Sequence, residues 1–216
     1  MSEPLSRPDF TASQGTTDWR IVVSGACAQY RTAGYPQSIA LVDAAAAAAG
    51  DALHPEFEVR ERVVLVRLPT PDRRLTTEHL RAARTITAAA ADLGVTADPT
   101  GIQDVQVAFD AEDVPAVHAF WAAALGFEPI RQSHLRSPDR IGPTVFVQEK
   151  PYRSPRNRLH VDISVPPDQV PGRIEAILAA GGRMLGDQYA PEWWSLIDPE
   201  GNVVDLATWE GRDEGD

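Results

Sequence analysis

Apolar positions recur along this chain with two periods, and the switches between them predict a protein of mixed helices and strands. From Trp19 the run Ile21, Val22 and Val23 predicts a strand. Tyr35-Pro36 then puts a proline in the first turn of a helix, which carries Ile39, Val42 and Ala46 on one face. That helix continues through the alanines Ala44 to Ala49 and is closed by Gly50. After a turn at His54-Pro55, Val59 to Leu68 alternates β-branched residues with arginines, as a strand with one solvated face does, and Pro69 and Pro71 end it. Thr76 is placed to cap a second helix, in which Leu80, Ala83, Ile86, Ala90 and Leu93 recur at steps of three and four before Gly94. Residues 1 to about 17 mix Ser, Pro, Thr and Gly and predict a loose leader. Thr96 to Gly101 joins turn formers with no apolar anchor and predicts a linker between two modules, 18–97 and 101–210.

Beyond that linker the pattern repeats. Strand Val105 to Phe109, helix Val114 to Leu125 and Gly126 form one unit; strand Leu159 to Val165, helix Val170 to Ala180 and Gly181-Gly182 form another, displaced by about 54 residues. Each unit ends in a further strand, Pro143 to Gln148 in the first and Asn202 to Trp209 in the second. Asp198 to Asn202 reads as a tight turn before the last of these. The expected class is α+β.

Acidic side chains outnumber basic ones 31 to 20, for a formal charge of −11, which argues against nucleic acid or an anionic membrane surface as partner. No stretch approaches the roughly 20 apolar residues of a membrane span, and Met1 to Gly15 lacks the apolar core of a signal peptide, so the expected address is cytoplasmic. The single cysteine, Cys27, makes no internal disulfide and is read as a core or half-buried strand residue rather than a reactive one.

Side chains two apart on a strand share a face. Val161, Ile163 and Val165 therefore oppose His160, Asp162 and Ser164, and Val105, Val107 and Phe109 oppose Gln106, Ala108 and Asp110. The apolar faces must cover Val117, Phe120, Trp121, Ile174, Ile177 and Leu178 of the two helices. The polar faces are left to line a cavity bearing Gln106, Gln148, His160 and Asp205, with Phe146 and Trp209 as aromatic walls that would touch a small-molecule ligand. His118 faces out of its helix and His134 falls in a polar loop. In that loop, residues 128 to 142, Arg131, Arg136 and Arg140 either meet an anion or solvate the surface.

Residues from about 102 to 210 resemble the vicinal oxygen chelate superfamily of glyoxalases, extradiol dioxygenases and bleomycin-resistance proteins. Asp113 to Phe127 (DVPAVHAFWAAALGF), Arg158 to Ile163 (RLHVDI) and Asp198 to Leu206 (DPEGNVVDL) carry the resemblance. It implies paired βαβββ units around a cavity, with a divalent metal held at four strand positions that correspond here to Gln106, Gln148, His160 and Asp205. Histidine and carboxylate suit a divalent ion, whereas glutamine amides are weak neutral ligands, so the same residues also read as polar lining. With metal the domain would be a lyase or dioxygenase acting on substrate oxygens; without it, a sequestering protein.

Residues about 19 to 97 resemble pterin-4a-carbinolamine dehydratase in their order of elements and in Leu53 to Phe57 (LHPEF) and Leu75 to Leu80 (LTTEHL). That family implies histidines as acid and base. His54 matches the second histidine of the family's His-His-Pro motif, Leu53 replaces the first, and Leu68 to Pro71 lacks a third. The resemblance thus leaves two readings, an active dehydratase using His54 or a degenerate module serving binding or dimerisation. Both resembled families are frequently dimeric, which implies a homodimer.

Overall fold

The computed structural model describes residues 2–49, 53–70, 74–149, 159–197 and 203–212. The turn expected at Asp198 to Asn202 and the glycine stop at Gly50 lie outside them. The chain divides into two compact units between Ile102 and Gln103.

In the first unit, β1 (Pro4–Leu5), α1 (Arg7–Ala12), β2 (Trp19–Val22), β3 (Gly25–Arg31), α2 (Tyr35–Ala49), β4 (Glu56–Arg60), β5 (Val63–Pro69), β6 (Leu75–Thr76), α3 (Thr77–Asp92) and β7 (Thr96–Ala97) follow in order. The main sheet runs β2-β3-β5-β4 with every neighbour antiparallel. Its core comprises Trp19, Ile21, Ala28, Tyr30, Val64, Val66 and Leu68, together with Leu41 of α2 and Ile86 of α3. Gly25 closes the β2–β3 turn at φ 141°, where a Cβ would collide with the Leu68 carbonyl.

Several expectations fail here for identifiable reasons. The leader is ordered: Ser6 Oγ accepts from the Asp9 amide at 3.1 Å, α1 buries Phe10, and β1 pairs with β6. The single run Val59 to Leu68 is a hairpin, because Glu61 and Arg62 turn the chain while the Glu61 and Arg62 carbonyls accept from Thr32 and Ser38. A charged turn without Gly or Asn leaves no mark in the sequence. In α2 the buried positions are Ser38, Leu41, Ala45 and Ala49, whereas Ile39 is 51% exposed. The linker is anchored: β7 pairs with β3, the Asp98 amide donates to Gln29 O at 2.7 Å, and Ile102 packs against Val22, Cys27 and Leu65.

The second unit is a duplication. Its first half is β8 (Asp104–Ala111), α4 (Val114–Leu125), β9 (Glu128–Arg131), β10 (His134–Arg136) and β11 (Thr144–Glu149). The second half is β12 (Leu159–Ser164), α5 (Val170–Ala179), β13 (Arg183–Gly186), β14 (Trp193–Ile197) and β15 (Val203–Ala207). Each half reads βαβββ. The strands form one sheet in the order β13-β14-β15-β12-β8-β11-β10-β9, so the halves meet where β12 and β8 pair antiparallel. Asp113 caps α4 through the Ala116 amide, and Gly126 ends it in the left-handed region at φ 66°. Phe109 stacks on Trp121 at 4.4 Å, which puts α4 on the face opposite Gln106. Leu178, expected in the core, is 44% exposed on α5. The segment 128 to 142, read as a loop, supplies β9 and β10.

Candidate functional site

Register fixes which side chains meet. Asp162 on β12 is the partner of Gln106 on β8 and of Asp205 on β15; Gln106 in turn is level with Thr144 on β11, and Asp205 with Ser195 on β14. One rung therefore carries Ser195, Asp205, Asp162, Gln106 and Thr144 across five strands. The next rung carries His160, Ala108, Phe146 and His134. These residues share the face away from α4, and Gln106 and Ala108 on it are more buried than Val105 on the other, 9% and 0% against 36%.

At the centre His160 Nε2 lies 3.2 Å from Asp162 Oδ1 and 3.8 Å from Asp205 Oδ2. All three side chains are largely buried. One donor atom from each falls within 4.8 Å of the others, the spacing of a metal-ligand set. Asp162 Oδ1 is buried and, apart from the 3.2 Å approach of His160 Nε2, has no hydrogen-bond partner among the described residues. The Gln106 side chain likewise makes no hydrogen bond among the described residues. The His160 ring is held edge-on by Phe146 at 6.2 Å, and Phe146 stacks on His134 at 5.5 Å.

Of the residues singled out from sequence, Gln106, His160 and Asp205 come together on this surface. Gln148 shares the face but stands four residues beyond Thr144 along β11, roughly 13 Å away. There its Nε2 donates to Asp110 Oδ1 at 2.6 Å. Phe146 walls the site. Trp209 lies beyond the end of β15, because Thr208 Oγ1 donates to Pro191 O at 2.6 Å and accepts from the Glu210 amide, bending the chain out of the sheet. Trp193, stacked on Tyr189 at 4.2 Å, occupies the same face as Asp205 instead.

Two residues on this face stand outside the candidates read from sequence. Alternation puts Asp162 on the polar face, yet its approach to Asp205 depends on β15 lying beside β12, which no local pattern encodes. His134 sits in a three-residue strand too short to read, and is on β10 rather than in a loop, with its carbonyl 3.4 Å from His118 Nε2. In the first unit His54 is exposed in coil just before β4. His79 is buried at the start of α3, where Nδ1 accepts from the Thr76 amide at 3.2 Å and Nε2 approaches Pro69 O at 3.3 Å.

Residues 106–207 match the glyoxalase-like domain family. A glyoxalase/bleomycin resistance protein/dioxygenase superfamily member from Vibrio splendidus 12B01 is 14% identical over 50% of this chain and 99% of its own, with a TM-score of 0.33. A fosfomycin resistance protein from Listeria monocytogenes is 16% identical over 50% of this chain and 90% of its own, with a TM-score of 0.25. An NAD-dependent benzaldehyde dehydrogenase from Legionella pneumophila is 11% identical over 48% and 97%, with a TM-score of 0.37. No curated protein matches the chain. The family match runs from β8 through the last residue of β15, across both βαβββ halves, and supports a glyoxalase-like domain as the second unit.

Proposed function

We propose that the second unit binds a small, oxygen-rich molecule at a divalent cation held by His160, Asp162 and Asp205. The observation that carries this reading is the convergence of one imidazole and two carboxylates from adjacent strands in a sheltered site. Two carboxylates so placed repel each other unless a cation lies between them, and imidazole with carboxylate oxygens is a donor set for Zn, Mn or Fe. Three protein ligands leave open positions where a substrate can reach the ion. When bound, the cation supplies Lewis-acid polarisation of substrate oxygens.

The chain's own groups do the rest. Gln106 offers an amide to orient a ligand oxygen without adding charge. Phe146, backed by His134, fixes the His160 ring and excludes water from one side. Two outcomes of this binding fit the fold family, turnover as a lyase or dioxygenase and sequestration without turnover. Metal analysis of protein purified without chelator and then offered Mn2+ or Zn2+ tests the centre. One ion per chain, lost in His160→Ala and in Asp162→Asn, is expected; no ion in any preparation would remove the metal and leave sequestration alone.

For the first unit we propose a binding or dimerisation role on a pterin carbinolamine dehydratase-like fold rather than turnover. The exposure of His54 and the engagement of His79 in capping α3 support this, since acid and base catalysis needs titratable groups poised together. The assay is dehydration of a 4a-hydroxytetrahydropterin by wild type and His54→Ala; turnover that depends on His54 overturns the reading and restores a dehydratase.

A further inference from the structure

Arg136 closes β10, on the far side of the site from the carboxylates. His134 is level with Phe146 and Leu135 with Val145, so Arg136 comes level with Thr144, on the rung that carries Gln106, Asp162 and Asp205. Leu135, on the opposite face, is completely buried, and His134 stacks on Phe146, so alternation turns Arg136 toward the site. Arg136 is half-buried, yet among the described residues its side chain makes no ion pair and no hydrogen bond. Glu128 lies directly across from it on the edge strand and is not within ion-pair distance. Its neighbours on the rung, Thr144 and Gln106, are neutral.

A guanidinium held in partial burial without an anion is an unmet demand, and its planar fork fits carboxylate or phosphate oxygens with two parallel hydrogen bonds. Three strand spacings separate β10 from β12, roughly 14 Å between backbones. Side chains reaching inward from both ends reduce that span to the length of a small molecule.

We propose that Arg136 is the anion-holding residue of this site, and that the ligand is a small oxyanion, carboxylate or phosphate, whose remaining oxygens face the His160, Asp162 and Asp205 cluster. The Arg136 contact rests on the binding function argued above but not on the metal itself, whereas the turning of the remaining oxygens toward two carboxylates requires the cation between them. The rung then has a polarity: a fixed positive charge at one end, neutral hydrogen-bonding groups in the middle, and carboxylates at the other. A neutral molecule of the same size lacks the charge to fill the first position, and a cationic one is repelled from it.

The test uses inorganic phosphate as probe, titrated calorimetrically into the full chain with and without Mn2+. Arg136→Gln is expected to weaken phosphate binding at least tenfold, and Arg136→Lys to fall between, because a lysine keeps the charge and loses the fork. Arg60→Gln in the first unit, a change of the same charge far along the chain, is expected to bind phosphate as wild type does, and Arg136→Gln to bind Mn2+ within twofold of wild type. Equal phosphate affinity in wild type and Arg136→Gln, or no phosphate binding by wild type, would overturn the assignment. Absence of Mn2+ binding in wild type would instead sink the metal reading, and the Arg136 comparison would still be decided in the metal-free titration.

Discussion

Tyr30 is almost wholly buried in the first unit, and its hydroxyl donates to Asp18 Oδ2 at 3.3 Å. Burial, reinforced by the negative charge of Asp18, holds the phenol well above the usual tyrosine range. The folded state therefore keeps a proton that the unfolded chain releases near pH 10. The sign follows: the contribution is fully present below that pH and is lost as pH rises through the higher folded value. Urea unfolding followed from pH 8 to 11.5 is expected to show stability falling above about pH 10, with a smaller alkaline decline in Tyr30→Phe; an unchanged decline would assign it to other groups. Alternation could find Tyr30 only once β3 was read as a strand, and the Gly25 turn that begins it was not visible as one. The same holds for His79, whose second partner, Pro69, is ten residues away.

At the level of elements, periodicity located α2, α3, α4 and α5 well, because each carries strong start or stop signals such as Thr76, Asp113 and Gly126. It failed where side-chain volume carries little contrast. In the alanine-rich α2, Ile39 is the larger group but faces out, while Ser38 is buried because its hydroxyl pairs with Thr32 at 2.7 Å. Leu41→Ala is accordingly expected to cost about 2–5 kcal/mol, and Ile39→Ala to stay within about 0.5 kcal/mol. The short α1 is illegible for a different reason, since one buried apolar residue cannot establish a period. Phe10 is 1% exposed, and Phe10→Ala is expected to cost about 3–5 kcal/mol in chemical denaturation. A cost below 1 kcal/mol would return the leader to the status of a loose tail.

For the whole molecule, the duplication in the second half was legible because both copies keep the order strand, helix, strands. The assembled site was legible only in part: alternation chose the polar face, but the meeting of Asp162 with Asp205 depends on the parallel pairing of β12 and β15 across a long connection. That pairing carries a consequence for stability. A cation that binds the folded site and not the unfolded chain stabilises the fold by mass action, by about 2.7 kcal/mol at a hundredfold excess over its dissociation constant. Four of the five tryptophans, Trp121, Trp193, Trp194 and Trp209, belong to the second unit, so fluorescence-detected unfolding reports mainly on it. Mn2+ is expected to shift that transition upward in wild type and to leave Asp162→Asn and His160→Ala unmoved. A shift of equal size in Asp162→Asn would place the cation away from the β12 and β15 seam, and with it would go the claim that the sheet's own register builds the metal centre.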